Sequence, residues 1–151
     1  MRLPMQGEEV DLAQTQQMVD AFLEAGFNYF DTAHGYLDGR SETALKACLT
    51  SRYPREDYVL TNKLTANFFK TEADIRPFFE SQLAACGVEY FDFYLFHNVC
   101  EMNIGAYLDP QYGIYDYLLR QKANGRIRHL GFSVHGSYDV MQRFLDAYGE
   151  S

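Results

Sequence analysis

Asp31 and Tyr36 stand five residues apart in Phe30-Asp-Thr-Ala-His-Gly-Tyr36, just past the apolar run Phe27-Asn-Tyr-Phe30. Two later apolar runs also end on functional polar residues: Tyr58-Val-Leu-Thr-Asn-Lys63 and Phe91-Asp-Phe-Tyr-Leu-Phe-His97. A carboxylate, a phenol, an amine and an imidazole are thus delivered at or just after the ends of three successive strand-like runs. Side chains of these types donate, accept and stabilise protons, so the arrangement suggests a catalytic site. Each residue alone has a plainer reading. Asp31 can be a turn or cap residue, and Tyr36 is one of twelve tyrosines. Lys63 can be a solvated strand-end lysine and His97 a hydrogen-bonded structural histidine.

The elements that would position these groups alternate between helix and strand. Asp11 can cap a helix carrying Leu12, Met18, Val19, Phe22 and Leu23 at three-to-four spacing, closed by Gly26. Residues 27–30 read as a short buried strand. Ser41 is placed to cap a second helix with Leu45, Cys48 and Leu49 on one face, and Glu42 sits favourably in its first turn. A strand at 58–61 precedes a helix that starts at Thr71, buries Ile75, Phe78, Phe79 and Leu83, and ends at Gly87; Pro77 inside it predicts a kink. A strand at 91–96 leads into a polar, glycine-bearing stretch at 98–112, long enough to be a functional loop. A helix at 114–122, a strand at 127–132 and a last helix capped by Ser137 complete the pattern.

Such alternation means parallel β-α-β units. The dinucleotide fingerprint G-x-G-x-x-G is absent after the first strand, where Gly35 and Gly39 have other spacing. Polar residues following several different strands favour the C-terminal face of a (β/α) barrel. A full barrel needs about 250 residues, and this chain has 151. The expectation is an α/β fold: one partial (β/α)8 TIM-barrel domain over residues 1–151, with about four or five β/α units, a remnant of an earlier strand near Leu3 and the C-terminal strands absent.

A hydrophobic share of 47% is enough for a real core, and the formal charge of −8 argues against affinity for nucleic acid or anionic membrane. The local basic cluster Arg120, Lys122, Arg126 and Arg128 reads as solvated helix ends. Cys48, Cys86 and Cys100 are odd in number and widely spaced, which fits a reducing compartment. The N-terminus lacks an apolar h-region, and no stretch has the length of a membrane span. A cytoplasmic location is the expectation.

In order and spacing, FDTAHGY-LDGRSE, VLTNK, DFYLFH and RIRHLGFS resemble the aldo-keto reductases. The resemblance covers almost the whole chain but only about the first half of that fold. MRLPM and AGFNYFDTAHGYLDGRSE are similar to the branch whose longer members often carry a C-terminal iron–sulfur segment, and no such cysteine cluster occurs here. The resemblance implies an NADP(H)-dependent oxidoreductase that reduces a carbonyl on a small molecule. Tyr36 would be the general acid. Lys63 would stabilise its anion, Asp31 would hold Lys63, and neutral His97 would orient the substrate oxygen. Ser133 matches a position that holds the nicotinamide carboxamide. Val134 stands where the family often has Asn, and His135 could replace that contact.

The loops by which the family grips the pyrophosphate and the 2′-phosphate of NADPH follow later strands than this chain has. The isolated chain is therefore expected to show little cofactor binding. Two alternatives stand beside this reading. One is a metal-dependent hydrolase or isomerase using Asp31, His34, His97 and His135, although no tight H-x-H or H-E-x-x-H spacing supports a metal site. The other is a non-catalytic or assembly module whose open strand edges, including that near 129–132, lead to self-association. His34 and His129 read as structural or solvated, and the substrate is not legible.

Overall fold

The computed structural model describes residues 2–149. A short antiparallel hairpin, β1 (Met5–Gln6) and β2 (Glu9–Val10), opens the chain. Helix α1 (Leu12–Glu24) starts where the Asp11 carboxylate accepts from the Gln14 N–H at 2.9 Å. After it come β3 (Tyr29–Asp31), α2 (Arg40–Leu45, continued by a wide turn through Thr50), β4 (Val59–Leu64), α3 (Glu72–Cys86) and β5 (Phe91–Val99). The short α4 (Ile104–Leu108), α5 (Ile114–Ala123), β6 (Ile127–Val134) and α6 (Tyr138–Tyr148) finish it.

Strands β3 to β6 form one four-stranded sheet in sequential order, with every pairing parallel. A doubly wound sheet would reverse its strand order at a switch point. This one does not, so the architecture is an arc of a (β/α) barrel. Four strands, each followed by helix, give the lower of the expected unit counts. The residues around Leu3 form no strand; the nearest extended segment, Met5–Gln6, is used in the hairpin.

The two faces of the sheet differ. Leu60, Leu64, Tyr94 and Phe96 point toward the helices and are wholly buried with Leu45, Leu49, Ile75, Phe79 and Leu118. On the concave face, Tyr29 lies over Phe93 at 5.8 Å between ring centroids, and Phe93 stacks on His129 at 4.8 Å. Of the residues expected to make a buried first strand, only Phe30 is buried; Phe27 and Tyr29 are 60% and 48% exposed. Tyr29 lies on a strand bonded on one side only and Phe27 just before it, so neither is enclosed although Phe22 stacks on Phe27 and Phe93 lies against Tyr29.

Three local expectations change. The second helix starts one residue before Ser41, with Gly39 in the left-handed region as its cap (φ 84°), while Ser41 turns its hydroxyl to Thr32 at 2.9 Å. Helix α3 runs unbroken past Pro77, started by a Thr71–Asp74 capping box. Pro77 removes one N–H, but the packing of Ile75, Phe78 and Phe79 on either side outweighs it. The stretch at 98–112 is not an open loop, because α4 anchors it through the fully buried Tyr107.

Candidate active site

All the candidate side chains lie at the C-terminal ends of neighbouring strands. Asp31 ends β3, Lys63 is the penultimate residue of β4, and His97 stands near the end of β5. Tyr36 follows β3 at the start of a tight turn in which Leu37 and Asp38 take positive φ (53° and 54°). Backbone of that kind is costly for residues with side chains. The Leu37 carbonyl is held by the Arg40 guanidinium at 2.8 Å, and the same guanidinium reaches back to the Glu8 carbonyl.

Lys63 is the centre of the cluster. Its Nζ donates to Asp31 Oδ1 at 2.6 Å and to the Thr32 carbonyl at 2.8 Å, and lies 3.2 Å from Tyr36 Oη. The lysine side chain is 5% exposed and the Asp31 carboxylate 40%, so the cation is enclosed while its counter-ion remains open to one side. Tyr36 meets His97 edge to face, with 5.6 Å between ring centroids. His97 Nδ1 is 2.7 Å from the Thr65 hydroxyl. Burial, with the nearby Lys63 charge as a second cause, pushes the His97 pKa down to about 4, so the ring is neutral near pH 7. The sequence therefore names four residues that the fold brings into one cluster.

Tyr107 was not singled out by sequence reasoning. Its hydroxyl accepts from the Ala66 N–H at 3.1 Å and lies 2.7 Å from the His97 carbonyl and 3.0 Å from that of Leu64. It thereby ties the ends of β4 and β5 together behind the cluster. The signal was a tyrosine at helical spacing from Ile104 in a stretch whose glycine and polar content suggested a loop.

The remaining predicted residues are less tightly joined. Ser133 Oγ accepts from the Asn98 N–H at 2.8 Å, which pins the residue after His97 in a left-handed conformation (φ 56°). The His135 side chain is exposed, and the residue's backbone N–H donates to the Val99 carbonyl. His34 is drawn away from the cluster to Glu42, at 2.8 Å. Among the described residues no group of three or more His, Cys, Asp or Glu is placed to hold a metal ion, so the set Asp31, His34, His97 and His135 does not form a metal centre. The basic residues Arg126 and Arg128 pair with Glu80 and Asp92 rather than presenting a free patch. No described helix is long and apolar enough to cross a membrane.

The sequence pattern of the aldo/keto reductase family matches residues 1–148. This chain belongs to the aldo/keto reductase family. A Mycolicibacterium smegmatis aldo-keto reductase is 34% identical over 120 residues, which are 79% of this chain and 40% of that protein. Human aldo-keto reductase family 1 member C3 is 30% identical over 107 residues, 68% of this chain and 32% of its own length.

Among solved structures, an aldo-keto reductase from Bacillus halodurans in its holo form superposes with a TM-score of 0.73 at 26% identity, covering 91% of this chain and 46% of that one. An aldo/keto reductase from Brucella melitensis gives 0.71 at 25% identity, covering 93% and 52%. A Klebsiella pneumoniae aldo-keto reductase in complex with NADPH shares the fold, with a TM-score of 0.72 at 22% identity. The chain thus spans roughly half or less of the length of these relatives, and the parallel sheet is the corresponding part of an aldo/keto reductase barrel.

Proposed function

We propose that the cluster is the catalytic half of an NADP(H)-dependent carbonyl reductase. The observation that carries the reading is the enclosed Lys63 ammonium, set at 2.6 Å from Asp31 and 3.2 Å from the Tyr36 hydroxyl. A phenol with an ordinary pKa of about 10 is a weak acid at neutral pH, and a cation beside it stabilises the anion left after it gives up its proton. Tyr36 donates that proton to the carbonyl oxygen. Lys63, fixed by Asp31 and the Thr32 carbonyl, holds the phenolate that results. Neutral His97, in the tautomer whose Nδ1 accepts from the Thr65 hydroxyl 2.7 Å away, offers Nε2–H to the same oxygen as negative charge grows there.

NADPH supplies the hydride when bound. The reacting end of that cofactor fits the residues present, because Ser133 is the penultimate residue of β6, His135 follows its C-terminal end, and the Ser133 hydroxyl proton is not used by its bond to Asn98. In this reading the phosphate grip is supplied by further strands of a longer protein. A small-molecule carbonyl is the substrate class, and three free cysteines suit a reducing, cytoplasmic setting.

The test compares this chain with a longer protein extended to the relatives' length. The longer protein gains NADPH binding and carbonyl reduction, and Tyr36→Phe lowers its turnover by roughly 10²–10⁴-fold without loss of fold. Full activity of that variant removes Tyr36 as the acid.

One observation favours a second role for the chain on its own. Its concave face, with Tyr29, Phe93 and His129, is open, and β3 and β6 are each bonded on one side only. Exposed strand edges and apolar faces self-associate. Light scattering is expected to show a dimer or larger species, and a monomer at high concentration counts against this reading.

A further inference from the structure

Strand β3 stops at Asp31, whereas β4 runs on to Leu64. The last backbone bond between them is from the Thr32 N–H to the Thr61 carbonyl, at 2.9 Å. The N–H and carbonyl of Lys63 point to the same side as that of Thr61 and have no strand to meet. Side chains take the place of the missing strand. Asn62 Oδ1 accepts from the Lys63 N–H at 2.8 Å, and Gln82 Nε2 donates to the Lys63 carbonyl at 2.9 Å. Behind both stands Glu42, fully buried. Its Oε1 accepts from Asn62 Nδ2 at 2.8 Å and from Gln82 Nε2 at 3.3 Å, and its Oε2 meets His34 Nδ1 at 2.8 Å. Gln82 also donates to Asn62 Oδ1 at 2.9 Å and accepts from the Tyr94 hydroxyl, so neither amide can flip without losing bonds.

We propose that Glu42 is a positioning residue for the Tyr36–Lys63 pair, one carboxylate oxygen tying down the loop that carries Tyr36 and the other the strand that carries Lys63. His34 is two residues before Tyr36, and Asn62 directly precedes Lys63. The polar partners of Glu42 are His34, Asn62 and Gln82 rather than the four clustered side chains, so it acts through these neighbours. A filled core alone does not call for a carboxylate, because an apolar side chain fills the same space without the cost of burying a charge. The geometry matters because a displacement of about 1 Å between reacting groups costs on the order of a hundredfold in rate. This inference rests on the catalytic reading for its kinetic consequence, but not for its structural one.

The test uses Glu42→Ala and Glu42→Gln in the full chain, read first by amide hydrogen exchange. Glu42→Ala is expected to speed exchange at the Lys63 N–H about tenfold or more. The Leu60 N–H, bound to Asp92 at the other end of the same strand, should stay unchanged. Glu42→Gln should restore protection, since its amide oxygen still accepts from Asn62 and its NH₂ can donate to a neutral His34. The nuclear Overhauser contact between the Tyr36 ring and the Lys63 side chain should vanish in the alanine variant and return with glutamine.

In whichever species turns over, Glu42→Ala should lower kcat about tenfold with KM unchanged, again rescued by Glu42→Gln. If Glu42→Ala does not fold, His34→Ala cuts only the loop half: the Tyr36–Lys63 contact is lost while the Lys63 amide stays protected. An unchanged Lys63 amide, or equal loss of protection at Leu60, overturns the proposal. If Tyr36→Phe remains fully active while Glu42→Ala still frees Lys63, the catalytic reading fails and the positioning role stands.

Discussion

Two ionic clusters occupy opposite ends of the parallel sheet, one across β4, β5 and β6 and the other across β3, β4 and β5, and they serve different purposes. At the N-terminal end, Asp92 is 5% exposed in its side chain and has both oxygens engaged: Oδ2 by Arg55 at 2.5 Å and the Leu60 N–H at 2.8 Å, Oδ1 by Arg128 at 3.0 Å. At the C-terminal end the burial is reversed. The cation, Lys63, is enclosed, and the acid, Asp31, is open, with a phenol and an imidazole facing the same space. The first cluster encloses its acid between two guanidinium groups and a backbone N–H, as a structural site does. The second leaves its acid open to solvent beside a phenol and an imidazole, as a site awaiting a partner does, and it lies at the end where barrels carry their chemistry.

The sharpest way to break this contrast is to substitute the central residue of each cluster. Lys63→Met should lower carbonyl reduction by roughly 10²–10⁴-fold in the longer protein, because the Tyr36 anion loses its cation. The Asp31 carboxylate is free to turn to water but the buried Thr32 carbonyl loses its donor, so stability to urea should fall by about 1–2 kcal/mol, less than at the other cluster. Asp92→Ala should do the opposite: about 3 kcal/mol is lost, because two guanidinium groups and a backbone N–H lose a buried acceptor, while turnover per folded molecule is kept. If both variants mainly unfold the protein, or both mainly silence it, the distinction between the two ends is wrong.

Acidification gives a subtler separation. The His97 pKa is lowered in the folded chain to about 4, from an ordinary 6.5, chiefly by burial. Between those values the unfolded chain binds a proton that the folded chain refuses. Stability associated with His97 is therefore fully present above about pH 6.5 and is lost as the pH falls toward 4. Urea midpoints measured from pH 7 to 4 should decline less steeply in His97→Asn than in the parent. Parallel curves would mean that His97 is solvated rather than packed against Tyr36 and Lys63.

These clusters also mark what could be read from the sequence. Asp31, Tyr36, Lys63 and His97 were legible because strand ends fall at predictable places once an apolar run is recognised, and because their order resembles a known family. Glu42 and Asn62 were not, since a helix-start glutamate and a strand asparagine have ordinary solvent-facing roles by type. Only the early end of β3, which strands the Lys63 backbone, gives them work. Tyr107 was hidden for a related reason: its role depends on the ends of two strands remote in sequence, met by one hydroxyl. The exposed side of β3 was misread because alternation along a strand says which residues share a face, not whether anything covers that face.

The smallest expected effect lies inside the closed cluster. Arg55 and Arg128 both bond Asp92, but their side chains are 21% and 57% exposed. Arg55 also donates to the Tyr58 carbonyl at 2.9 Å, so its removal strands a backbone acceptor as well as a carboxylate. Arg128 lies over the Tyr90 ring and donates to its hydroxyl at 2.8 Å, near the surface. Water can take over each bond it leaves. Arg128→Ala should therefore cost about 0.5–1 kcal/mol, the range of an exposed pair, and Arg55→Ala clearly more. Equal losses would show that Asp92 needs both cations to stay in place, making the N-terminal cluster as dependent on its most exposed member as the C-terminal cluster is on its most enclosed one.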